Sequence, residues 1–224
     1  MKKTLLIKHK AYSNRQDIHY PLFYYIILNR DLSFEEVDHV KEQFSGRKEY
    51  RRIGQANIKD KNTKSHTILA VIEEAEAKEY DFIILCKNYH DFPPSYNSKF
   101  FENCLLQANS IGANVLLGGA TGFVDSVKII DNLFWIDFFA DSTFIIIYKR
   151  FYKNLASLVR NNSLQSIERI ISDNANNIML TYPFISFPRE FQNSKSNTFK
   201  EYYLSERALT IIGNAYNYLK IRRY

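Results

Sequence analysis

Three observations predict an α/β fold for this sequence. The run Phe82 to Cys86 is apolar and rich in β-forming residues, with charge before it and Pro93-Pro94 after it. Those are the length and flanks of a core strand covered on both faces. Leu22 to Leu28 is a second run of the same kind, closed by Asn29-Arg30-Asp31. Helical patterns follow the strands after short polar turns, the order expected of a sheet built with crossover helices.

The elements follow in order. After the first strand, Ser33 and Glu36 form a capping box, Val37, Val40 and Phe44 share one face, and Gly46 is placed to end the helix. Residues 47–62 are charged and connective, with a short strand at Tyr50 to Ile53. A second helix runs from about Thr63 to Lys78, with Ile68, Leu69, Ile72 and Ala75 on one face, and feeds the central strand. Beyond Pro93-Pro94 a third helix carries Phe100, Phe101, Cys104, Leu105, Ala108 and Ile111, and Gly112 stops it. Val115 to Leu117 is a short strand that opens on Gly118-Gly119-Ala120-Thr121-Gly122. Phe144 to Tyr148 is a further strand, Arg150 to Val159 a helix, and Leu164, Ile167, Ile170 and Ile171 mark another. Extended structure resumes at Ile178 to Tyr182 and Phe184 to Phe187, and Arg189 to Thr198 reads as a polar loop. Leu204, Ala208, Ile211, Ile212, Ala215 and Leu219 form the apolar face of a terminal helix expected to dock on the domain. With no internal repeat and no low-complexity linker, residues 1–224 read as one domain, with 199–224 as its C-terminal helix.

Composition excludes several classes. The chain is 46% hydrophobic but 24% charged, and no stretch of about 18 apolar residues exists to span a bilayer. The best candidate, Ile129 to Tyr148, is broken by Asp131, Asp137 and Asp141. Lys8-His9-Lys10 cuts the amino-terminal apolar stretch too short for a secretory signal, so a cytoplasmic protein is expected. Cys86 and Cys104 lack metal-ligand spacing and read as buried thiols. The net charge of +6 gathers near the termini, with no basic stripe interleaved with exposed aromatics, so no nucleic-acid partner is expected. The basic end, Lys220 to Arg223, suits the negative pole of a helix dipole. Peripheral contact with an anionic membrane is the sharper alternative.

Chemistry is expected where the central strand ends. In open α/β sheets ligands collect at the carboxyl ends of the strands, which singles out Lys87, Asn88, His90 and Asp91. The glycine cluster has neither Walker nor dinucleotide-fingerprint spacing, so it reads as a substrate-facing loop or plain turns. Leu133 to Asp141 sets two acids among large aromatics. If the segment docks on the core, Asp137 is desolvated by Trp135, Ile136, Phe138 and Phe139, and a carboxylate so placed takes up a proton more readily, as a general base must. A solvent-facing acid on an amphipathic segment is the equal alternative.

Taken together, these segments resemble the bacterial glycosyltransferases related to family 25, the lipooligosaccharide galactosyltransferase type. The resemblance runs from about residue 22 to 190. It rests on the strand and Asn29-Arg30 turn, Ser65-His66 before the central strand, Gly118-Gly119, Phe134-Trp135-Ile136-Asp137 and Tyr182 to Ser186. It implies a single GT-A-like nucleotide-sugar-binding domain with a central mixed sheet flanked by helices. It also implies inverting transfer from a nucleotide sugar, a UDP-sugar by preference, to a glycan, lipid-linked or peptide acceptor. Asp137 would be the base, with Asn29, Arg30, Ser65, His66, Lys87, Asn88, His90 and Asp91 on the donor side and Gly118, Gly119 and Trp135 facing the acceptor. Where relatives carry Glu-Asp-Asp for a divalent ion, this chain has Lys87-Asn88-Tyr89, and such a hard oxygen site cannot be built from Lys and Asn. The resemblance therefore implies either a metal-independent transferase in which Lys87 replaces the ion, or a catalytically inactive binding or partner protein.

Overall fold

A computed structural model describes residues 23–28, 34–47, 52–57, 61–189 and 198–221. In chain order the elements are β1 (Phe23–Leu28), α1 (Phe34–Phe44), β2 (Arg52–Asn57), α2 (Lys61–Ala77), β3 (Phe82–Lys87), β4 (His90–Asp91), α3 (Ser98–Ser110) and β5 (Val115–Leu117). They continue with β6 (Ser126–Ile130), β7 (Leu133–Ile136), β8 (Phe144–Tyr148), α4 (Lys149–Asn161), α5 (Ile167–Asn174), β9 (Ile178–Thr181), β10 (Phe187–Pro188) and α6 (Thr198–Ile221). Eight strands form one mixed sheet in the order β2-β1-β3-β8-β5-β9-β7-β6, and β4 and β10 make a separate antiparallel pair. The fold is α/β, with a central mixed sheet flanked by helices.

Alternation along the strands builds two cores. Ile83 and Leu85 of β3, Ile145 and Ile147 of β8, and Val115 and Leu117 of β5 face one side, against α2, α4 and α5. Phe82, Ile84 and Cys86, with Phe144, Ile146 and Tyr148, face the other side against Phe44 of α1 and Phe101, Cys104 and Leu105 of α3. Buried on both faces, β3 has no room for polar residues until it ends, which is why it reads as an unbroken apolar run. Caps close the helices locally. Asn97 accepts from the Phe100 amide at 3.0 Å to start α3, Ser166 accepts from Arg169 at 3.2 Å to start α5, and Gly46 and Gly112 take the left-handed φ values of 75° and 79° that follow α1 and α3.

Three elements differ from the sequence expectation. The second strand continues past the expected end at Ile53 to Asn57, because the parallel partner β1 supplies the hydrogen bonds that Gly54, Gln55 and Asn57 do not favour by themselves; Tyr50 and Arg51 lie outside the described residues. β6 was not foreseen; it forms an edge hairpin with β7 across Asp131-Asn132, and its half-buried and exposed residues alternate as an edge strand's do. The terminal helix docks by a different face. Tyr202, Leu209 and Gly213 are buried against the domain, whereas Leu204, Ala208 and Ile211 of the expected apolar face are exposed.

Candidate functional site

The chain passes from β1 through α1 to β2 on one side, then returns through α2 to β3 on the other side of β1. α1 contributes Phe44 to one core and α2 contributes Ile68 and Ile72 to the other, so the two crossovers cover opposite faces. This reversal of strand order is the topological switch point, beside which ligands bind in open α/β sheets. Lys87 is the last residue of β3 at that edge, and β8, which runs the opposite way, begins there with Asp141, Ser142 and Thr143 just before it.

Lys87 points to the same face of the sheet as Leu85 and meets two carboxylates. Its Nζ forms a hydrogen-bonded ion pair with Asp141 Oδ1 and lies 2.9 Å from Glu168 Oε1. The Lys87 side chain is 19% exposed, that of Asp141 24% and that of Glu168 7%. Burial works against the ammonium, but the Glu168 and Asp141 carboxylates outweigh it and hold the Lys87 pKa above its ordinary value. Two tyrosines frame the triad. Tyr202 of α6 donates its hydroxyl to Asp141 Oδ2 at 3.4 Å, and the Tyr89 ring centroid lies 5.6 Å from Lys87 Nζ. Burial raises both phenols, that of Tyr202 strongly and with Asp141 adding to the rise, so both stay protonated and can donate.

The other expected donor-side residues are not gathered here. Asn88 is buried and donates to Glu36 Oε1 of α1 at 3.0 Å. The chain then doubles back through β4, which turns His90 into the core among Phe44, Phe92 and Phe144. His90 Nδ1 shares a 2.7 Å hydrogen bond with Ser186 Oγ, which lies 2.5 Å from Thr143 Oγ1, and His39 Nε2 donates to the His90 carbonyl at 2.8 Å. Burial first, then the charges of His39 and Arg47, push the His90 pKa well below the ordinary imidazole value, so His90 is a neutral core residue rather than a donor-side cation. Asp91 is half-buried and pairs with Phe187. His66 is exposed on α2, the side chain of Ser65 is not among those described, and Asn29 and Arg30 lie outside the described residues.

The acceptor-side expectations change as well. Gly118, Gly119 and Ala120 are buried rather than substrate-facing. A Cβ on Gly119 would collide with the Ser186 carbonyl oxygen, and one on Gly118 would lie 3.0 Å from both Ile185 and Phe144. These glycines let the β5 loop lie directly against residues 184–186. Trp135 sits on β7, next to the edge strand, opposite Met179, and leans on the second core. Asp137 follows Ile136, which pairs with Ile178 at the start of β9. In the ladder Leu85–Ile145–Leu117–Leu180–Phe134, Asp137 therefore stands level with Phe82. Its carboxylate is half-buried and accepts the Val124 and Asp125 amides at 3.4 and 3.1 Å, which ties a turn. The acid that reaches Lys87 is Asp141, four residues on. Glu168 had no signal beyond being an acid among Ile167, Ile170 and Ile171 in the first turn of a helix.

A metal does not fit this donor set. Among the described residues no group of three or more His, Cys, Asp or Glu could hold an ion, and the ammonium of Lys87 occupies the space between the two carboxylates that do converge. On the other side of residues 183–185 lies an open groove of about 400 Å³, floored by Phe100, Phe184 and Ile185 and rimmed by Ser95, Asn97, Lys99 and Asn103.

No protein-family model matches this sequence, and no curated protein matches it. Solved structures that resemble it in part include an apo UDP-glucose pyrophosphorylase, with a TM-score of 0.42, 10% identity, and 71% of this chain and 72% of that one covered. Another is a mannose-1-phosphate geranyltransferase from Thermus thermophilus, with a TM-score of 0.43, 8% identity, and 72% and 73% covered.

Proposed function

We propose that this chain is a metal-independent, inverting glycosyltransferase that takes a nucleotide sugar at the carboxyl edge of its sheet. The observation that carries the reading is the Lys87–Asp141–Glu168 triad at the switch point, where a fixed ammonium stands between two carboxylates. In this reading the partly exposed Lys87 faces the diphosphate, as a positioned donor does at a developing anion. Asp141 takes the proton of the acceptor hydroxyl as that oxygen bonds to the anomeric carbon. The bond from that carbon to the phosphate oxygen breaks at the same time, and the nucleoside diphosphate leaves with the electron pair. In this reading the acceptor presents a hydroxyl to Asp141 at the triad, and the groove beside Phe100, on the other side of residues 183–185, plays no part in the step. A glycan acceptor, free or lipid-linked, fits that chemistry.

A second reading, an inactive transferase-like binding protein, is favoured by the neutralisation of Lys87 and the inward turn of Asn88 and His90. Release of nucleoside diphosphate from a panel of nucleotide sugars, with an oligosaccharide acceptor, separates the two. Turnover that falls about 100-fold or more in Asp141→Asn and stays unchanged in Asp137→Asn supports the transferase with Asp141 as base. Turnover sensitive to Asp137→Asn and indifferent to Asp141→Asn would overturn that assignment. A folded protein that binds donor without turnover would establish the second reading.

A further inference from the structure

Helix α6 docks through Tyr202, Leu209 and Ile212, with Glu206, Thr210 and Gly213 beside them, and leaves a second set of aliphatic residues outside. Glu206 accepts the Phe184 amide at 2.7 Å, Thr210 accepts from the Tyr182 hydroxyl at 2.9 Å, and Gly213 faces the Phe134 ring. On the opposite side Leu204, Ala208 and Ile211 recur at the spacing of one helical face, and Leu204 is 51% and Ile211 65% exposed. Tyr203 stands beside them at 54%. Lys200 and Arg207 are exposed along the same flank, with Glu201 on the other. Residues 198–224 hold five cations (200, 207, 220, 222, 223) and two acids (201, 206), a net of +3, half the chain's +6 in about an eighth of its length. One of the two acids, Glu206, is taken up by the Phe184 amide.

We infer that the outer face of α6 docks on an anionic lipid surface. An exposed aliphatic stripe bordered by an aromatic and by cations is the pattern of a helix lying in the plane of a membrane interface. Leu204, Ile211 and Tyr203 enter the headgroup boundary, and Lys200 and Arg207 meet the lipid phosphates. The charge balance selects a lipid surface over a second copy of the chain, because pairing two such helices would set their cations against each other. The inference does not depend on the transferase reading, since vesicle binding and nucleotide binding succeed or fail separately.

The test is co-sedimentation of the full chain with vesicles of phosphatidylcholine alone and of phosphatidylcholine mixed with phosphatidylglycerol. Binding to the mixed vesicles, weakened by salt and about tenfold or more weaker in Leu204→Ser/Ile211→Ser, is the expected result. Both positions are exposed, so the double variant should keep the native circular dichroism and unfolding midpoint. Arg207→Glu should weaken binding to mixed vesicles alone. Equal binding by the double variant, indifference to the anionic lipid, or no sedimentation would each overturn the inference. A concentration-dependent dimer that the double variant abolishes would also overturn it and assign the stripe to a second copy.

Discussion

Replacing Lys87 by Met keeps the length of the side chain and removes a charge that Asp141 and Glu168 share. Nζ is 2.9 Å from Glu168 and hydrogen-bonded to Asp141, so the two carboxylates lie within roughly 5 Å of each other, where their repulsion at an effective dielectric of 20 is about 3 kcal/mol. Breaking a buried ion pair by removing one partner costs about 3–5 kcal/mol, and the partial exposure of Asp141 places this site at the lower end, near ~3 kcal/mol. Urea unfolding followed by the single tryptophan, Trp135, reads the loss. With a slope of ~2–3 kcal/mol per molar, the midpoint should fall by about 1–1.5 M. Adding Asp141→Asn and Glu168→Gln to Lys87→Met should restore most of it, because no uncompensated charge then remains. A midpoint that moves by less than about 0.3 M, or a triple variant no more stable than the single one, would refute the triad as a coupled unit. The pH dependence has a fixed sign. The Lys87 pKa is raised in the folded state, so its contribution is complete below the unfolded lysine value of about 10.4 and is lost only as pH rises beyond it.

Further predictions concern the packing around this edge. The folded-state pKa of His90 is depressed, so its contribution is present above the unfolded value of about 6.5 and is lost as pH falls below it, by up to ~1.4 kcal/mol per pH unit; unfolding midpoints between pH 7 and 5 should show this slope, and a His90→Leu variant with the same slope would contradict it. Gly119→Ala should destabilise by ~1–3 kcal/mol through the Ser186 carbonyl contact, which thermal unfolding measures; an unchanged melting temperature would mean that residues 184–186 do not press on the β5 loop. Burial pushes the Cys104 thiol up to about 12, so labelling by an aromatic disulfide should await unfolding; labelling of folded protein at both cysteines would place them nearer the surface than the structure does.

Much of the sheet was legible because its strands are buried on both faces. β3 and β8 stand out as short aliphatic runs between charged residues, and α3 stands out through the glycine after it and the apolar spacing of Phe101, Cys104, Leu105 and Ala108. β6 was not legible because Ser126 to Ile130 is an edge strand whose partner is supplied three residues later by β7. The apolar spacing on α6 is real, but a helix wheel does not say which face meets the domain. Tyr202 and Leu209 met the core, with Glu206 and Thr210 bonded to Phe184 and Tyr182 beside them, so Leu204, Ala208 and Ile211 were left outward. Within the site, Lys87 was readable as the first charge after a core strand. Asn88 and His90 were misread as ligand-facing because the return through β4, set by pairing with β10 nearly a hundred residues on, turns them inward. Asp141 and Asp137 share the same aromatic segment, and only their contacts show that Asp137 ties the turn at Val124 and Asp125 whereas Asp141 meets Lys87. Glu168 is brought in by α5, and nothing local to it announces that contact.

The most direct test is calorimetric titration of the folded chain with UDP and with UDP-sugars, in EDTA and again with Mn²⁺. The proposed function predicts binding of the same strength in both, weakened about tenfold or more in Lys87→Ala through loss of a charge-assisted contact. Binding that needs Mn²⁺, or no binding of any nucleotide sugar by protein shown to be folded, would contradict it.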